Sequence, residues 1–104
     1  MTFDIKSKYE NAVAGVWKFR KDRVGAEELC RLARRWLTDN PSQYKQLVVR
    51  SCSREQIGIQ FLYVPTQGES YASFFENRTH ELRLKFGNYL VGWDVSGDVD
   101  VITN

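Results

Sequence analysis

The sequence predicts an α+β domain: a single antiparallel sheet of four to five strands with two or three helices packed on one face, in the order α-α-β-β-α-β-β. Three observations carry this. Apolar residues recur at steps of three and four in residues 26–38, they alternate with polar ones in 57–64 and 81–95, and turn-forming residues separate the segments. A chain of 104 residues suits one domain, spanning 1–104. A domain of that size buries roughly 65% of its unfolded surface, enough for a core without metal or disulfide.

Residues 4–20 place Ile5, Tyr9, Ala12, Val13 and Val16 on one helical face, with Asp4 as N-cap. Gly15 costs such a helix ~1 kcal/mol relative to Ala, and the alternative is a strand from Ala14 to Phe19. Residues 26–38 form the clearest helix, with a stripe of Ala26, Leu29, Cys30, Ala33, Trp36 and Leu37. Glu27 and Glu28 suit the positive end of its dipole, Asn40 can close it in a left-handed conformation, and Pro41 stops it. Gln46 to Cys52 and Ile57 to Val64 read as two strands joined by the four-residue loop 53–56. Thr66 and Glu69 fit a capping box, so a helix is expected from about Gln67 to Thr79. Leu82, Leu84 and Phe86 alternate with Glu81, Arg83 and Lys85 as in a half-buried strand, and Gly87-Asn88 is a hairpin signal. Tyr89, Val91, Trp93 and Val95 then form the partner strand, and residues 99–102 suit a short edge strand.

Composition excludes several classes. The charged and apolar fractions, 27% and 42%, do not fit a disordered, collagen-like or mucin-like chain. The longest apolar run, Ala12 to Trp17, is far below the ~20 residues that span a bilayer. No secretory signal, prenylation box or myristoylation glycine is seen, so the expected compartment is the cytoplasm, with no membrane partner. There Cys30 and Cys52 are expected as thiols, and their spacing does not suit a zinc site. The net charge of +2 is unevenly divided: 11 basic and 6 acidic residues in 1–52, against 4 and 7 in 53–104. The halves can attract each other within one chain or between chains, so monomer and homodimer both stand.

Catalytic and cofactor signatures are missing. His80 is the only histidine, no phosphate-binding glycine loop or Gly-x-Ser-x-Gly elbow occurs, and Asp94, Asp98 and Asp100 lack the spacing of an EF-hand. No cofactor, metal site or catalytic residue is therefore expected. The remaining enzymatic option uses Cys52 or His80. Phe61, Tyr63, Tyr89 and Trp93 would form a base-stacking platform if they faced solvent, but their apolar faces suit core packing, and the element order differs from that of an RNA-recognition motif.

The segment from Trp17 to Arg35 interleaves aromatics with cations. Such a segment can dock a protein through aromatic and arginine anchors, or hold a phosphate backbone and stack unpaired bases. The blander reading puts Trp17 and Phe19 in the core and leaves the cations to solvent. The sequence supports first a non-catalytic interaction or regulatory module, an adaptor that binds an unidentified protein through a basic-aromatic helical surface of Trp17, Phe19, Arg20, Arg34, Arg35 and Tyr44. The alternative is single-stranded RNA binding through Lys18, Arg20, Lys21 and Arg31.

Overall fold

Val13, Gly15, Trp17 and Phe19 occupy every second position, and the chain there is extended. The computed structural model describes residues 12–41, 43–64 and 70–96. They form β1 (Val13–Arg20), α1 (Ala26–Asp39), β2 (Tyr44–Ser51), β3 (Gln56–Tyr63), α2 (Tyr71–Phe86) and β4 (Leu90–Ser96), with one 3-10 turn at Gly87–Tyr89 before β4. The α+β class, the antiparallel sheet and the helices on one face are as expected, but the order is β-α-β-β-α-β. The sheet runs β2-β3-β1-β4, with every neighbouring pair antiparallel. This is the split β-α-β plan of ferredoxin-like domains.

Two expectations are corrected. A helix over 4–20 is excluded from residue 13 onward, because Trp17 and Phe19 belong with Val13 on the buried face, and a period of two serves all three. The strand alternative for Ala14 to Phe19 is the one observed. Gly15 is needed there: a Cβ would lie 2.8 Å from the Asp94 carbonyl and from the Phe61 ring, which covers this stretch of β1. The second correction concerns 81–86, which continue α2. Leu82 and Phe86 are four apart and both buried, so they also satisfy a helical period, while Leu84 points to water. Gly87, at φ 53°, closes α2 by donating its N–H to the Arg83 carbonyl, so it ends a helix where a hairpin was expected.

Other boundaries moved less. The Gly25 N-cap of α1 has no side-chain acceptor, and Asn40 is not left-handed (φ −137°), though its N–H still donates to the Trp36 carbonyl. The β2–β3 loop closes through the Gln56 carbonyl, which accepts from Cys52 and Ser53 at 2.8 and 3.1 Å. Helix α2 is capped by Ser70, whose Oγ accepts from the Ser73 N–H at 3.2 Å. The Asp4 cap, the Thr66–Glu69 capping box, and the edge strand at 99–102 with Asp98 and Asp100 lie outside the described residues.

Both helices cover the face that carries Trp17. Its ring stacks on Phe61 at 4.6 Å and Phe75 at 5.4 Å, and meets the edge of Trp36 at 5.4 Å. Its Nε1–H donates to Thr79 Oγ1 at 3.0 Å, which pins α2 to the central strand. The opposite sheet face carries Val16, Lys18, Val48, Arg50, Gly58 and Gln60.

Candidate interaction surface

Alternation along β1 separates the residues the sequence grouped together. Trp17 and Phe19 face the helices and are completely buried, and Tyr44 is 5% exposed, stacked parallel to Trp36 at 6.4 Å. None of the three offers a surface to a partner. Expecting Trp17 and Phe19 as exposed anchors went with the helix over 4–20, which would have mixed aromatics and cations on one side. On a strand the aromatics turn in, while Lys18 and Arg20 turn out on the face away from α1. The basic residues of 17–35 thus stand on two layers and do not form one patch.

Most of these cations are also engaged. Lys18 pairs with Asp94, and that hydrogen bond raises the Lys18 ammonium above its ordinary pKa. Arg20 forks onto both oxygens of Asp22 at 2.9 and 3.2 Å and holds that carboxyl below its usual range. Lys21 donates to Ser51 Oγ and to the Ser53 carbonyl. On α1, Arg31 reaches Glu27 at 3.4 Å. Arg35 pairs with Glu81 of α2, which also accepts from Trp36 Nε1 at 3.3 Å and faces Arg78 at 3.8 Å. Arg78 in turn donates to the Tyr44 hydroxyl at 3.3 Å and lies over the Trp36 and Phe74 rings. Arg35 and Tyr44 therefore belong to the joint between the helices and β2. Arg34 has no side-chain partner among the described residues.

The residues considered for chemistry are apart. Cys52 lies on the open sheet face beside Gly58, where an added Cβ would come within 2.6 Å of its Sγ. His80 is on α2, in the helical layer on the other side of the sheet. The described residues contain no group of three or more His, Cys, Asp and Glu placed to hold a metal ion. Both cysteines are free thiols, and no described helix is long and apolar enough to cross a membrane.

Of the four aromatics expected on the sheet, Tyr89 instead ends the 3-10 turn before β4, and the other three resolve. Phe61 and Tyr63 are core residues, as core packing required, and Trp93 lies opposite Trp17 on the helix side. The element order expected to differ from that of an RNA-recognition motif rested on the misread helix and the extra strand, so it no longer argues against one. What such a platform also needs, aromatic rings on the open face, is absent among the described residues.

A different surface emerges at β4, an end strand of the sheet. Tyr89, Val91 and Trp93 are 39%, 44% and 38% exposed, half of the six large apolar residues exposed among the described ones. Between Lys18 and Phe19 the register with β1 shifts, so Val91 is an extra residue that bulges from the ladder. Trp93 meets Phe75 edge-on at 5.8 Å and walls a groove of about 220 Å³ with Phe75, Glu76, Thr79, His80 and Arg83. Leu84, four residues beyond His80, continues that line of α2 and is 75% exposed. Arg83 lies over Trp93 at 5.1 Å, and Arg23 over Tyr89 at 5.9 Å. The sequence signal for this edge is LVGWDVS, where adjacent apolar residues Leu90 and Val91 break the alternation that a covered strand would keep. Comparison with protein-family models, curated proteins and solved structures found no match to this chain.

Proposed function

We propose that this domain is a non-catalytic interaction module that binds a protein partner through the β4–α2 rim. The observation that carries the reading is the exposure of Tyr89, Val91 and Trp93 in succession along the 3-10 turn and the edge strand it leads into, where Trp and Tyr are the side chains most often found anchoring interfaces. Arg23 and Arg83 rest on two of these rings, so the patch has an apolar centre with a cationic border. The two free thiols suit a reducing compartment such as the cytoplasm. The reading keeps the function expected from the sequence and moves its site, because the nominated aromatics are in the core. Single-stranded RNA binding has less support: Lys18, Arg20, Lys21 and Arg31 are engaged by neighbours and stand on two layers.

Affinity capture tests it with three proteins: wild type, Val91→Lys with Trp93→Ser, and Arg34→Glu. Wild type and the Arg34 variant should retain the same protein, and the rim variant should lose it while its circular dichroism spectrum stays that of a folded domain. Undiminished capture by the rim variant, or loss of capture confined to Arg34→Glu, overturns the reading.

A further inference from the structure

We infer that the β4 edge takes up an extended acidic segment of its partner as an added strand; the inference rests on the interaction reading above and specifies its partner. Among the described residues, β4 pairs with β1 on one side and with nothing on the other, which leaves a row of outward N–H and C=O groups. An extended peptide satisfies such a row by main-chain hydrogen bonding. The other end strand, β2, is guarded by Arg50 and by its own register shift at Tyr44–Gln46. In β4 the only charge is Asp94, already neutralised by Lys18. The bulge at Val91 leaves Gly92 to Ser96 as a regular stretch, and nothing lies within 4 Å of the position a Cβ on Gly92 would take. A strand added there would meet no side chain at Gly92 on its face of the sheet.

Charge selects the occupant. Arg23 and Arg83 flank Tyr89 and Trp93, and Arg54 borders the depression that Val91 shares with the β2–β3 loop. None of these three guanidiniums forms a close ion pair among the described residues, although Arg23 stands near enough to Asp22 to help lower that carboxyl. Among the described residues, the acids of the same rim are Asp22 and Asp94, held by Arg20 and Lys18, together with Glu55 and Glu76. Among the described residues, the rim cations without a close ion pair thus outnumber the acids without one. A second copy of this chain pairing β4 with β4 would bring the same arginines together, which like-charge pairing disfavours. A strand that alternates carboxylates with apolar side chains meets the cations and the rings at once.

The test uses fluorescein-labelled peptides followed by anisotropy: one alternating Val with Glu, one alternating Val with Lys, and the acidic one with alternate amides N-methylated. The acidic peptide should bind saturably, about tenfold or more tighter than the basic one, since paired charges across an interface discriminate by at least that factor. N-methylation should abolish binding, and Arg83→Glu or Arg54→Glu should each weaken it. Hydrogen exchange of the amides in 92–96 should slow when the acidic peptide is present. Equal binding of all three peptides, binding of none, or a dimer in sedimentation velocity with the same amides protected overturns the inference. If no peptide binds but partner capture still depends on Val91 and Trp93, strand addition fails and the interaction reading stands. If capture is also indifferent to these residues, both fail.

Discussion

Thr79→Val removes a single oxygen from the centre of the molecule and tests what fastens α2 to the sheet. Thr79 is 6% exposed and Trp17 is fully buried, and the hydroxyl accepts from the indole Nε1 at 3.0 Å. Valine has nearly the shape of threonine, so no cavity opens. What is lost is one internal hydrogen bond, worth ~1 kcal/mol net, and the indole N–H is then stranded without water, a cost in the range of roughly 1–3 kcal/mol. The expected loss is about 2 kcal/mol, which for a domain near this size lowers Tm by roughly 10 °C. Thr79→Ser is the control: it keeps the acceptor and deletes one buried methyl, for a loss of about 0.8 kcal/mol. Urea unfolding of the three proteins, followed by circular dichroism, should rank wild type above the serine variant and the serine variant above the valine variant, with a common denaturant slope. A valine variant as stable as wild type, or more stable than the serine variant, would show that packing alone holds the joint and refute the hydrogen-bond argument.

Gly15→Ala and Gly58→Ala should each cost about 1–3 kcal/mol, because the new methyls meet backbone oxygens, Asp94 at 2.8 Å and Trp17 at 2.9 Å, that the ladder cannot move; an unchanged urea midpoint would contradict this. Gly25→Ser should gain about 0.5 kcal/mol, since the extended N-cap of α1 has open space and no side-chain acceptor; thermal melts read the sign. Tyr71→Phe removes a buried hydroxyl that lacks a hydrogen-bond partner and should stabilise by ~1 kcal/mol at neutral pH. Burial raises the Tyr71 phenol to about 12. Between an unfolded value of about 10 and that folded value the unfolded chain releases the proton first, so wild-type stability falls as pH rises through this window. The phenylalanine variant lacks that loss, and its advantage should widen by about 1 kcal/mol after allowance for the ring's partial exposure. Parallel urea curves at pH 9 and above would show whether the gap stays constant, contrary to the argument.

Strands β2 and β3 and helix α1 were legible because each carried one period with no competitor. Ile57, Ile59, Phe61 and Tyr63 serve only a sheet, and Leu29, Ala33 and Trp36 only a helix. Residues 12–20 and 81–86 failed because short stretches satisfy two periods at once. Val13 and Val16 suit a helix until Trp17 must also be buried, and Leu82 and Phe86 suit a strand until Leu84 must be as well. Gly87 added to the second error, since a residue at positive φ serves a helix end and a tight hairpin equally. The site was less legible than the fold. Trp17 and Trp93 lie opposite each other on adjacent strands, yet one is fully buried and the other 38% exposed. That difference comes from strand order, the central against the outer place in the sheet, and local composition does not encode it.

The same strand order governs how the chain must be assembled in time. β1 is made early and stands in the middle of the sheet, but neither of its neighbours follows it directly. Val16 waits for Gln60, and Trp17 for Trp93, which is 76 residues downstream. Among the described strands, only the β2–β3 pair can form from adjacent sequence. Closing such long loops before any contact rewards them slows folding. During synthesis, therefore, Trp17 and Phe19 leave the ribosome long before a partner for their ladder exists. Until residue 96 has emerged, the nascent chain holds its two most buried β1 rings without a completed sheet. That interval is when this domain has most need of a chaperone's apolar groove, and when it is most open to pairing with the wrong strand.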